Sequence, residues 1–253
     1  MVRGFYSAAA GVFGQQKSFN TISNNIANAS TAGYKNQGSV VSSFGSHMIS
    51  RMSSAENLGE GSIGKGDFIT ANSSTFTDYT QGAIQGTERS LDMAIEGSGF
   101  FLLKNQQGEE VLSRNGQFFI DQEGELALSG TGKVLDTGRN VIPIQGGDFT
   151  VDGKGNIRMG EKTLGTLFIA AKGDESKLVT TGNGNFKREE NILQEEEGSY
   201  LIHQGALEKS NMDISSEMSK IIAGQNRYQS CTQILKIYDK INEMTVSQIG
   251  RIG

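Results

Sequence analysis

A seven-residue recurrence at both ends of the chain constrains its fold more than any other feature. Near the N-terminus Phe5, Val12, Phe19 and Ile26 stand seven apart, and Ala8, Gln15, Ile22 and Ala29 each follow by three. Apolar side chains at that spacing share one stripe of an α-helix and call for a second helix to cover it. Near the C-terminus Ile214, Ile221, Tyr228, Leu235, Asn242 and Ile249 repeat the spacing, with Met218, Gln225, Thr232, Asp239 and Val246 interleaved. The two stripes predict terminal helices that pair as a coiled-coil-like domain and bring the chain ends together. A first helix of about 25 residues would be roughly 40 Å long and a second of about 37 roughly 55 Å. Ser210, Asn211 and Asp213 lie just before the second stripe and are candidates to cap its exposed N–H groups. Further apolar residues, among them Phe13, Ile222, Ile237 and Met244, widen the apolar surface past a single seam, so neighbouring copies of the chain are expected to cover the surplus.

The material between the ends is different. From about Gly66 to Leu207, β-prone runs such as "LDMAIEGSGFFLL" and "TLGTLFIAA" alternate with glycine turns, in a chain with 34 glycines and one proline. Two runs match each other, "FFIDQEGEL" from Phe118 and "FTVDGKGNI" from Phe149. Their shared pattern suits a hairpin in which Asp opens the turn and Gly takes the left-handed position. Gly97 and Gly99 in "EGSGFF" predict a tight turn that delivers Phe100 and Phe101 to a core. The expected fold class is therefore α+β. Its parts are an N-terminal helix segment at 1–36, an extended variable linker at 37–65, a β-rich, mostly antiparallel and hairpin-built domain at 66–207, and a C-terminal helix segment at 208–253.

Composition removes several functions. A net charge of -5 gives no electrostatic reason to expect nucleic acid or an anionic membrane surface. The single Cys231 and the two histidines, His47 and His203, cannot build a disulfide framework or a cysteine- or histidine-rich metal centre. No run approaches the roughly 18 apolar residues of a spanning helix, and "FYSAAAGVFG" is soon broken by "QQK", which argues against a cleaved signal. "VLDTG" at 134–138 matches the aspartic-protease string, but that chemistry needs two carboxylates and the string occurs once, so Asp136 is read as a turn residue. "GTGK" at 130–133 has Ala127 and Val134 where a phosphate loop needs Gly and Ser/Thr. "REENILQEEEG" at 188–198 reads as a solvated acidic loop, and His203, in an alternating strand, as structural. No catalytic, cofactor-binding or metal-binding residue is assigned.

"SNNIANASTAGYK", Ser23 to Lys35, resembles the signature of the bacterial flagellar axial proteins, the rod and hook family. "QGAIQGTERSLDMAIEGSGFF", "SRNGQFFIDQEGEL", "QGALEKSNMD" and "EMSKIIAGQNRY" resemble further blocks of that family in its order, so the likeness covers nearly the whole chain. In that family the signature closes the N-terminal helix. Asn24, Asn25 and Asn28 would satisfy helix-end backbone groups, Gly33 would supply the following turn, and Tyr34 completes the motif. The resemblance implies a tube of helically stacked copies, with Phe5, Val12, Phe19, Ile22, Ile26, Ile214, Met218, Ile221, Tyr228 and Leu235 as the assembly interface and the β-domain outside. It also implies other rod and hook subunits as partners, export by the flagellar type III apparatus without signal cleavage, and a basal-body location. The short middle leaves no room for the large outer domain of a hook protein, which favours a rod subunit, and "GEGSIGKGD" inclines the reading to the distal rod. A hook-type subunit, a secreted adhesin-like module on a coiled-coil stalk and a hydrolase using Asp136 are the alternatives.

Overall fold

The computed structural model describes residues 2–43, 46–51, 61–67, 70–144, 148–174, 177–182, 184–188, 192–196 and 198–249. Helix α1 spans Val2–Ala27 and helix α2 spans Ile214–Ile249, and nineteen described strands lie between them. The chain divides into two compact units: residues 1–26, 37–78 and 213–253 form the first, and 27–36 and 79–212 the second. Helix plus mostly antiparallel β-structure gives the α+β class.

In the first unit α1 and α2 touch at levels that fix their direction. Gly4 faces the Tyr238 ring, a side chain on Gly11 would meet Cys231 Sγ at 2.9 Å, and one on Gly224 would meet the Phe19 ring at 2.7 Å. Asn25 Nδ2 lies 3.5 Å from Glu217 Oε2. Rising numbers on one helix meet falling numbers on the other, so the helices run antiparallel. The touching stripe matches the heptad of the sequence only in part. On α1 it holds Gly4, Gly11 and Asn25, one position off the Phe5 series, together with Gln15 and Phe19 of the heptad itself. On α2 Glu217, Gly224, Cys231 and Tyr238 alternate with Ile221 and Leu235, and Met218, Gln225 and Asp239 point to solvent. Small residues let the backbones approach closely; glycine costs a helix roughly 1 kcal/mol relative to alanine, and that cost is offset here only where a neighbour occupies the missing side chain's place. Phe5, Phe13, Ile222 and Ile237 are left outward.

Asp213 caps α2: its Oδ1 accepts from Ser215 N at 3.0 Å and its carbonyl from Glu217 N at 3.0 Å. Ser210 instead closes a local turn with Met212 N, and Asn211 bonds to other segments of the second unit. The described residues of 37–65, expected as an extended variable linker, are strand: Gln37–Ser43 pairs with Thr70–Thr77 and Ser46–Arg51 with Gly61–Asp67, all antiparallel. Short runs diluted by Ser and Gly hid these strands, because they lack the apolar alternation that marks a strand in sequence. The first strand of the second unit is Ile84–Gly86.

The second unit is built on an eight-stranded sheet. Its path runs 178–182, 185–188, 110–113, 100–104, 132–134, 126–128 and 118–120, with Ile169–Ala170 also paired to Phe100–Lys104. "FFLL" at 100–103 lies in the middle of this path and is buried on both faces. Phe101 and Leu103 enter one core cluster with Met93, Phe118, Leu126 and Ile157, while Phe100 and Leu102 enter another with Leu112, Leu135 and Phe186. Ring contacts tie each side, Phe101 to Phe118 at 5.1 Å and Phe100 to Phe186 at 5.5 Å. The turn before them holds Gly97 at φ 95° and Gly99 at φ 107°. The sequence repeat folds as two hairpin turns of one chemistry: Asp121 Oδ1 accepts from Glu123 N and Glu125 N, and Asp152 Oδ1 from Lys154 N and Asn156 N. Gly124 and Gly155 take the left-handed position, at φ 79° and 88°.

Candidate functional site: the signature segment and the outward helix faces

The amides of the signature do more than finish a helix. Asn25, 1 % exposed, donates through Nδ2 to the Gln37 carbonyl at 2.8 Å and accepts at Oδ1 from Gln37 N at 3.1 Å. A primary amide has the donor and acceptor of a peptide, so Asn25 serves as a one-residue strand partner to the start of the ribbon. This differs from a bond to the helix's own end. Asn28 does hold the local turn, since Thr31 donates to it from both N and Oγ1, and Asn24 is exposed. Gly33 turns at φ 66° with its N–H on the Glu208 carbonyl, and any side chain there would strike the Arg114 backbone. Tyr34 is buried.

Lys35, which sequence reasoning did not single out, closes the signature inside a buried charge cluster of the second unit. Its Nζ lies 2.7 Å from Glu208 Oε1 and 2.7 Å from the Thr80 carbonyl, and both charged side chains are 1 % exposed. Arg114 Nη1 reaches Glu208 Oε2 at 3.1 Å and also donates to the Ile95 carbonyl, while Nη2 donates to that of Gly97. Gly82 N completes the carboxylate's shell at 2.9 Å. Burial pushes the Arg114 guanidinium below its ordinary range, and the Glu208 charge opposes that. Each member comes from a different family-like block: "AGYK", "SRNGQ" and "QGALEKS".

The ten residues expected at an assembly interface fall into two groups. Val12, Phe19, Ile22, Ile26, Ile221 and Leu235 are half-buried, whereas Phe5, Ile214, Met218 and Tyr228 are exposed. The Phe19 and Tyr228 rings approach to 6.4 Å. Phe13, Ile222, Ile237, Met244 and Val246 are exposed as well, so both helices carry apolar faces beyond their mutual contact.

The reactive-looking strings serve turns. Asp136 Oδ1 accepts from Asn140 N at 2.7 Å and its carbonyl from Arg139 N, closing a loop in which Arg139 sits at φ 60°. Lys133 of "GTGK" bonds Glu123 and Glu125, contacts that push its ammonium up, and it also lies 3.5 Å from Asp121. Asp121, Glu123 and Glu125 could together offer oxygens to a cation, but Lys133 already lies among them. His203 Nε2 pairs with Glu96 at 2.6 Å on neighbouring strands. His47 lies on the ribbon strand Ser46–Arg51, and its side chain falls outside the described residues. Among the described residues no helix is long and apolar enough to cross a membrane.

A chain with terminal helices whose outward faces are apolar, a β-unit between them and turns where catalytic strings might stand is a structural subunit in class. Three family sequence models match it: "Flagella basal body rod protein" at residues 5–35, "Flagellar hook protein FlgE/F/G D1 domain" at 94–159 and "Flagellar basal body rod FlgEFG protein C-terminal" at 203–248. The chain is 29% identical to the flagellar basal-body rod protein FlgG of Bacillus subtilis over 98% of this chain and 99% of that one. It is 29% identical to the flagellar basal-body rod protein FlgF of Caulobacter vibrioides over 94% and 93%, and 25% identical to the flagellar hook-basal body complex protein FlhO of Bacillus subtilis over 100% of both. The chain belongs to the flagellar basal-body rod and hook protein family, and it is a structural protein rather than an enzyme.

Proposed function

We propose that the chain is a rod subunit, of the distal rather than the proximal rod, that polymerises helically into a tube and passes torque to the hook. The observation that carries this reading is the pair of long helices packed through small residues, with Phe5, Phe13, Ile214, Met218, Ile222 and Ile237 left outward. In a helical stack each outward stripe is covered by a neighbour, coiled-coil pairing runs between helices, and the contact repeats without closing. The two-stranded ribbon at 37–77 supports the same reading, since such a ribbon is marginal alone and gains burial from neighbouring copies. Helices resist axial and twisting strain because their backbone bonds lie within the element, so torque needs no reacting residue. Other rod and hook subunits meet the ends of the stack, and the flagellar type III apparatus exports the chain uncleaved. Electron microscopy of basal bodies from a strain lacking the gene tests this: rods that stop short and carry no hook are expected, and full-length rods with hooks would overturn it.

A further inference from the structure

The acidic run at 188–198 finds no use in the account so far, yet part of it is held rigidly. Ile192 is buried in a core cluster and its carbonyl accepts from Arg139 at 3.1 Å. The Leu193 carbonyl accepts from Ala171 N at 2.8 Å, and Glu195 N donates to the Ile169 carbonyl at 2.8 Å. Between these fixed points the Leu193 side chain is 67 % exposed, beside Glu195 and Glu196. A segment pinned on both sides that presents one apolar side chain among carboxylates has lost the entropy that docking would otherwise cost. In the first unit a groove of about 390 Å³ has the opposite character. Phe19, Ile22, Gly224 and the 55 %-exposed Phe76 line it, together with the exposed cation Arg227 and with Lys220, which pairs with Glu217 at 2.6 Å.

We propose that residues 192–196 of one copy dock, Leu193 first, in this groove of a second copy, with Glu196 against Arg227. The proposal rests on the helical self-assembly proposed above. Two different patches of one chain that complement each other make a heterologous contact, and such a contact propagates as an open helix rather than closing into a dimer. The charges set the register of the contact and the apolar side chain supplies its burial.

The test uses full-length chains carrying Cys231→Ser. One chain bears Gln194→Cys, beside the anchoring Leu193, and another Ser39→Cys, a residue of the groove lining; the two are produced together and basal bodies are purified and oxidised. A disulfide-linked dimer of one chain of each kind is expected in the basal-body fraction and not in the soluble fraction. Co-assembly of both chains without that dimer overturns the docking and leaves the assembly reading standing, whereas absence of both chains from basal bodies overturns the two together. A charge exchange gives a second readout. Glu196→Lys and Arg227→Glu should each lower the assembled fraction severalfold, with the melting transition unchanged, and the double variant should restore it; failure of the double variant to restore assembly overturns the register.

Discussion

Glu208 carries more of the second unit's specificity than its single negative charge implies, because it lies between two buried cations. Removing Lys35 leaves a neutral Arg114–Glu208 pair with three further donors and acceptors in place, whereas removing Glu208 leaves two cations facing each other out of water. Breaking a buried charge set by deleting a member costs about 3–5 kcal/mol. Glu208→Gln is therefore expected to lie at the top of that range and Lys35→Met below it, with the difference read from urea midpoints; equal midpoints would show that the cluster is not the electrostatic unit described. Asp121 makes a pH-dependent prediction. The N–H groups of Glu125 and Glu123 and the Lys133 charge hold its carboxyl below the ordinary aspartate value. The unfolded chain then binds the proton first as pH falls, so the stabilisation is complete above about pH 3.9 and is lost as pH drops through the folded value. Asp121→Asn should make the acid limb of the stability profile shallower and leave the neutral region's slope unchanged. An unaltered acid limb would contradict the turn's role.

At the scale of elements, the glycines of the helices separate contact from accident. A side chain on Gly14 meets nothing within 4 Å, while one on Gly224 meets the Phe19 ring at 2.7 Å and Gln15 at 3.2 Å. Gly14→Ala should raise helix stability by about 0.5–1 kcal/mol, and Gly224→Ala should give none of that gain because the helices must move apart. Circular dichroism melting of the two variants distinguishes them. Gly99→Val should destabilise the second unit by about 1–3 kcal/mol, since the left-handed backbone disfavours a branched side chain and Ile169 Cγ2 would lie 2.5 Å from its Cβ. An unchanged denaturation midpoint would refute that turn. The same elements show what could be read in advance. Both helices, the two Asp-Gly hairpins and the "EGSG" turn were legible because each is written in local spacing. The seam was legible only in part: Phe19 packs on Gly224 from a heptad position, while Gly4 and Gly11, one position off the Phe5 series, make the other close contacts. The ribbon was hidden for the opposite reason, as its Ser- and Gly-rich strands carry no apolar period. Lys35, Arg114 and Glu208 lie 79 and 94 positions apart in succession, and no spacing rule joins charges across such distances.

For the whole molecule, the function proposed above makes α1 and α2 the assembling elements, while the second unit holds two cores of its own. Leu235 is half-buried on the stripe of α2 that alternates with Cys231 and Tyr238. A carboxylate forced into a packed helical interface must either protonate or hold the interface open, at a cost on the order of several kcal/mol repeated at every subunit. The most direct measurement is the amount of the Leu235→Glu chain in purified basal bodies, taken beside the amount exported and the melting of the second unit. The expected result is normal export, an unchanged second-unit transition, no incorporation, and cells without hooks. A Leu235→Glu chain that is exported, enters rods at the normal level and supports swimming would contradict the account.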